Sequence, residues 1–221
     1  MHIVTVGNTK GGTGKSTVAT NLAVEGCRRG LRTLLIDTDL QQSSMSFRAM
    51  RERDDLTAMT VTTPTLHKDL RRMEGYDLIV IDTGGRFARG NTADPAAVVF
   101  KSALMATDIL LIPMQPSIYE VWAAQDTIDL LREARVYRDD LLARFIMNGV
   151  IPKRALSRDV AASMKQYQED APVLATRLHY TEEFKKSVGR GLGVVESAPG
   201  SKPAKEITSL FDEIIKVLEG G

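Results

Sequence analysis

Cys27 is the only cysteine in this 221-residue chain. Disulfides are therefore no part of its design, and a lone cysteine inside a helical pattern reads as a small core residue. No run of about 18 consecutive apolar residues occurs, so no membrane-spanning helix is expected. The chain enters an apolar strand pattern at once, His2-Ile3-Val4-Thr5-Val6, with nothing resembling a secretory leader, and the cytoplasm is the expected compartment. An excess of one charge is also missing. Lys and Arg number 29 against 28 Asp and Glu, a net charge of +1. Nothing global draws the chain to nucleic acid or to a membrane, so any contact with DNA must come from a local basic patch. There is no linker, internal repeat or low-complexity tract. With 43% apolar and 26% charged residues, the chain reads as one soluble globular domain over residues 1–221.

Short apolar runs alternate with longer amphipathic stretches. Runs at residues 3–6, 33–36, 58–61, 78–81, 109–112 and 145–147 read as strands, several of them β-branched and apolar throughout. Helical patterns fall between them at 16–29, 42–53, 64–74, 93–106, 118–138 and 157–169. Gly30 stands at a helix end, and Pro64 and Pro95 stand at helix starts. This alternation predicts a doubly wound α/β fold, a mostly parallel sheet flanked by helices. The last third is less regular. A short helix is expected over 181–188 with Thr181 as its N-cap, then a break at Gly189, Gly191 and Gly193, then a final helix over 202–218.

Residues 8–17 read Asn8-Thr9-Lys10-Gly11-Gly12-Thr13-Gly14-Lys15-Ser16-Thr17. They follow the first strand and open the first helix, which is the context a phosphate-binding loop requires. Glycines let the backbone curl so that its N–H groups face phosphate oxygens, and the helix N-terminus adds partial positive charge there. Lys15 is expected to reach the terminal phosphates of ATP, and the Ser16 hydroxyl to ligate Mg²⁺. The usual G-x-x-x-x-G-K-[ST] spacing is modified: Thr9 takes the first glycine position and a second lysine, Lys10, stands beside it. Ile36-Asp37-Thr38-Asp39-Leu40-Gln41 ends the second strand, and Leu78-Ile79-Val80-Ile81-Asp82-Thr83-Gly84-Gly85 is a buried strand ending in an aspartate. Ligands of open α/β sheets sit beyond strand carboxyl ends, which places these carboxylates well, and Asp82 is the expected Mg²⁺ carboxylate of a Walker B strand.

The doubled lysine resembles the deviant Walker A box of the ParA/MinD family of P-loop ATPases, and its ParA branch in particular. The resemblance covers nearly the whole chain, with its specific residues at 8–17, 37–41 and 79–86. It implies that Lys10 acts across a homodimer on the nucleotide of the other subunit, and that Thr17 contacts the α-phosphate. It further implies that Asp39 directs the attacking water and that Asp37 supports the Mg²⁺ shell. Leu40 stands where the family's D-x-D-P-Q has proline. The family also places adenine recognition on late loops, where Asn148 and Pro152 are the candidates. Arg86 and Arg89 follow the Walker B strand as candidate phosphate or partner contacts.

A ParA-type chain is expected to form an ATP-sandwich homodimer and to bind DNA nonspecifically through lysine and arginine. A ParB-like or adaptor protein would stimulate its weak hydrolysis, and the chain would be nucleoid-associated. Lys185, Lys186 and Arg190 are the candidate DNA contacts. The absence of an N-terminal DNA-binding extension argues against operator binding. A MinD-like basic terminal helix for membrane docking is not expected, because Glu206, Asp212, Glu213 and Glu219 face only Lys205 and Lys216. One cysteine also rules out the two-per-subunit cluster of nitrogenase-type relatives. Two other classes share these motifs: a nucleotide-gated protein scaffold in secretion or export, without DNA, and a metabolic enzyme that phosphorylates a small molecule.

Overall fold

In the computed structural model, which describes residues 1–70, 72–85, 94–151 and 158–220, seven strands form one sheet. They are β1 (His2–Val6), β2 (Thr33–Asp37), β3 (Thr57–Thr60), β4 (Leu78–Asp82), β5 (Ile109–Met114), β6 (Leu142–Val150) and β7 (Val173–His179). The order is β3-β2-β4-β1-β5-β6-β7, and every pairing is parallel. The helices are α1 (Lys15–Arg28), α2 (Ser43–Met50), α3 (Leu66–Leu70), α4 (Pro95–Leu104), α5 (Ile118–Arg135), α6 (Arg158–Met164), α7 (Glu182–Val188), α8 (Val194–Ser197) and α9 (Lys202–Glu219).

Why the central strands lie where they do follows from their composition. Thr33-Leu34-Leu35-Ile36-Asp37 and Leu78-Ile79-Val80-Ile81-Asp82 are buried at every residue, so each strand needs cover on both faces. On one face α1 and α9 pack Val18, Leu22, Ile207, Leu210 and Phe211 against Val4, Leu35 and Val80. On the other, α3 and α4 set Leu66, Leu70 and Val99 against Ile3, Ile36 and Ile81, while Val121, Ile128 and Leu131 of α5 cover Leu110, Ile112 and Phe145. The chain runs from β1 to one side and returns past it to the other. The loop after β1 therefore opens between β4 and β5, at the reversal of strand order where ligands of such sheets bind.

Three expectations need correction. β7 was not expected, since its sequence lacks a continuous apolar run. It is an edge strand in which Leu174 and Leu178 are buried while Val173, Ala175 and Arg177 are exposed, so only half of it reads as apolar. The 42–53 helix stops at Met50, because Arg51 turns to extended backbone (φ −81°, ψ 115°) and sends its side chain inward. The 64–74 helix is a single turn that buries Leu66 and Leu70. Thr181 does cap α7, accepting the Glu183 N–H.

An edge strand offers unpaired backbone groups to any other strand. Here α9 covers them. Glu213 accepts the N–H groups of Ala175 and Thr176 at 2.7 and 2.9 Å, and Glu206 accepts that of His179 at 3.0 Å. Glu213→Ala is expected to cost about 1 kcal/mol in urea unfolding with the m value unchanged. The exposed Glu219→Ala serves as control, and equal midpoints for the two variants would refute this role of Glu213.

Candidate nucleotide site

The loop after β1 is anchored from below. Asn8 donates to the Pro113 carbonyl at 2.8 Å and accepts the Lys10 N–H at 2.9 Å. Thr9, the residue in the place of the usual glycine, is buried and tied to Thr127 of α5: its N–H donates to Thr127 Oγ1 at 3.0 Å, and the two hydroxyls lie 3.0 Å apart. The departure from the usual motif thus fastens the loop to a helix. Gly12 (φ 77°) and Gly14 (φ 92°) then turn the chain through left-handed backbone. A Cβ on Gly14 would lie 2.1 Å from Asn148 Nδ2, so a larger residue there would displace the Asn148 side chain. No side chain caps α1, which leaves its first N–H groups facing the loop.

Above the loop lies a cleft of about 280 Å³, lined by Gly11, Gly12, Gly14, Lys15, Ser16, Thr17, Asp39, Gln41, Ser43 and Gly85. At the ends of the neighbouring strands two buried carboxylates lie side by side, because the parallel register of β2 on β4 pairs Asp37 with Asp82. Asp37 accepts the N–H groups of Asp39 at 2.9 Å, Ser44 at 2.9 Å and Met45 at 3.2 Å, and so shapes the turn that presents Asp39. Asp82 accepts the Ser44 hydroxyl at 2.7 Å through one oxygen, while Oδ1 is buried without a hydrogen bond. Burial, with the Asp37 charge alongside, pushes the Asp82 carboxyl up to about 7, against the pull of the Ser44 and Ser16 hydroxyls and of Lys15. Burial raises Asp37 as well, opposed by its three N–H donors. An unpaired buried carboxylate oxygen is costly unless a partner arrives. Uncapped helix N–H groups, a buried lysine, a serine hydroxyl and that oxygen together make a donor set suited to a nucleotide phosphate with a hard divalent cation.

Over residues 4–194 the sequence matches the CobQ/CobB/MinD/ParA nucleotide-binding-domain family. The chain belongs to this family. The carboxysome distribution maintenance protein A of Halothiobacillus neapolitanus is 26% identical over 216 residues, covering 95% of this chain and 94% of the relative. The chromosome-partitioning ATPase Soj of Thermus thermophilus is 24% identical over 249 residues, covering 96% and 94%. The septum site-determining protein MinD of Pyrococcus horikoshii, solved with Mg-ADP, has a TM-score of 0.76 at 19% identity and covers 98% of this chain and 96% of its own. This is a ParA/MinD-type chain with the nucleotide-binding ATPase fold of that family.

Within this ParA/MinD fold the two lysines of the loop part company. Lys15 is 7% exposed, lines the cleft and donates to the Lys10 carbonyl at 2.9 Å. Lys10 points away, its Nζ 2.5 Å from Glu120 on the first turn of α5. Asn148 sits beside a break in the β6–β7 register and donates to the Thr13 carbonyl at 2.7 Å, so it reaches the phosphate loop. Pro152, Arg86 and Arg89 lie outside the described residues. Lys185, Lys186 and Arg190 are exposed on α7 and just after it, apart from the cleft residues. Sequence reading missed Ser44, Glu120 and Thr127. Each lies in a helix at a position that only the packing of that helix against the loop makes informative.

The buried Asp82 has a thermodynamic consequence. A carboxyl raised by folding binds its proton more tightly in the folded than in the unfolded chain. Stability of the nucleotide-free protein should therefore fall as pH rises from about 4 to about 7, by at most about 1.4 kcal/mol per pH unit, and level off above. Asp82→Asn is expected to flatten that fall and to be the more stable protein at pH 8. Urea unfolding of both proteins at pH 5, 6.5 and 8 is the check; parallel profiles would refute the assignment.

Proposed function

We propose that this chain is a Mg²⁺-dependent ATPase that closes as a homodimer around two ATP molecules, binds DNA without sequence preference and is stimulated by a ParB-like or adaptor protein. Release from DNA after hydrolysis would segregate or position a cargo. The observation that carries this reading is the division of the two loop lysines. Lys15 serves its own cleft, and Lys10 leaves it for Glu120. A lysine built into a phosphate loop but turned away from that loop's own cleft suits a role on a second subunit's nucleotide. In the isolated subunit Glu120 holds it, so dimerisation requires that ion pair to open. The named functions of Soj and of the carboxysome distribution protein support positioning as the task.

In this reading the loop N–H groups, Lys15 and Thr17 bind the phosphates, while Ser16 and Asp82 hold Mg²⁺, with Asp37 supporting their shell from beneath. Mg²⁺ supplies charge neutralisation at the phosphates. Asp39, presented at the cleft by the turn that Asp37 organises, orients the attacking water. Asn148 acts through the loop it holds, and Pro152 completes the adenine side. No described helix is long and apolar enough to cross a membrane.

DNA contact is assigned to Lys185, Lys186 and Arg190 together. One observation favours the second reading, a nucleotide-gated scaffold that binds protein instead of DNA. Lys185 pairs with Glu182 at 3.3 Å and Lys186 with Glu183 at 3.5 Å, so α7 neutralises part of its own charge. Nonspecific DNA binding across a salt series separates the two. The wild type should bind in ATP and not in ADP, Lys10→Ala should abolish binding, and Asp39→Ala should keep ATP-bound protein on DNA. ATP-driven dimers with no DNA affinity in any variant would favour the scaffold.

A further inference from the structure

A buried charge cluster lies outside the nucleotide site. The Arg51 side chain is 0% exposed, and all five of its N–H donors are used. Nε and Nη2 donate to Asp55 at 2.8 Å each, Nη1 and Nη2 to Glu196 at 2.8 Å each, and Nη1 also to the Gly191 carbonyl at 3.0 Å. Glu196 further accepts the Gly193 N–H at 3.1 Å and, from the solvent side, Arg53 at 2.9 Å. As a stabiliser alone such a cluster is a poor choice, because desolvating the charges consumes most of what their attraction returns. Its position says more. Arg51 is the residue at which α2 ends, and Gly191 and Glu196 belong to the glycine break and α8 that follow α7.

Both helices that begin in the phosphate cleft meet that break. The first turn of α2 is gripped by Asp37 and Asp82 through Ser44 and Met45, and its other end rests on Gly191. Gly191 has φ 63°, and a Cβ there would stand 2.3 Å from the Arg51 nitrogen, so backbone meets backbone. In α1, the buried Asn21 donates to the Thr17 carbonyl at 2.8 Å and accepts the Val194 N–H at 2.9 Å. The break in turn is tied to α7, since Gly191 and Leu192 donate to the Val188 and Ser187 carbonyls at 3.0 Å each. Lys185, Lys186 and Arg190 ride on this unit.

We propose that the Arg51–Glu196 clamp couples the phosphate cleft to α7, so that nucleotide binding changes how firmly the Lys185–Arg190 segment is held. A group that pairs with the free Oδ1 of Asp82 draws charge from the carboxylate whose other oxygen Ser44 bonds, and so shifts the first turn of α2. Pinned at Arg51, the helix passes that shift to the glycine break, and the break passes it to α7. The output of this coupling rests on the DNA-binding reading, but its existence does not.

The test is hydrogen exchange on the full chain, with and without a non-hydrolysable ATP analogue and Mg²⁺. In the wild type, exchange at residues 182–188 is expected to change at least about fivefold on nucleotide addition. Arg53→Ala, which removes only the solvent-side partner of Glu196, should respond like the wild type. Glu196→Gln should lose the response at α7 while the phosphate loop still gains protection. Should Glu196→Gln fail to fold, the double variant Arg51→Met/Glu196→Met replaces the pair with apolar side chains and carries the same expectation. A wild-type α7 that ignores nucleotide, or a clamp variant whose α7 responds in full, overturns the proposal. DNA affinity is read in parallel: α7 responding in a protein that never binds DNA would remove the DNA reading and keep the clamp.

Discussion

Two buried carboxylates at neighbouring strand ends constrain everything around them. The register that lays β2 on β4 sets Asp37 beside Asp82 in a region closed to solvent, where neither charge is tolerated without donors. Asp37 meets that demand with three backbone N–H groups and in doing so fixes the turn carrying Asp39 and the start of α2. Asp82 meets it only in part, through Ser44, and keeps one oxygen unpaired. The phosphate loop, α2 and the cleft between them are arranged about this incomplete satisfaction.

The loop shows the same economy. Its base is fastened to α5 through Thr9 and Thr127, and its crest is steadied by Asn148 from the end of β6. A rigid frame holds its glycines, so the backbone meets a ligand without first having to order itself. Its two lysines face different clients. Lys15 is buried against the cleft, and Lys10 is paired with Glu120.

From the cleft, helices α1 and α2 extend along one face of the sheet to the glycine break before α8. There, an arginine with no exposed side-chain surface joins two carboxylates and a carbonyl. Close backbone approach at Gly191 leaves little slack in that joint. The phosphate loop and α7 are thus connected by short, hydrogen-bonded links.

The sequence by itself determined the fold class, the loop and the two acidic strand ends. Each depends on local chemistry: apolar runs long enough to demand cover on both faces, glycines at fixed spacing, and a charge closing an apolar strand. It did not reveal β7, which is apolar on one face only and leans on Glu206 and Glu213 of α9 for its outer N–H groups. Nor did it reveal that Thr9 fastens the loop to α5, that Asn148 steadies it, that Glu120 holds Lys10, or that Arg51 meets Glu196. Those pairs are separated by more than a hundred residues, and no local pattern records which helix face meets which loop. Only the tertiary structure decides them, because hydrogen bonding in a buried site is settled by packing, and packing is a property of the whole sheet and its two helical layers.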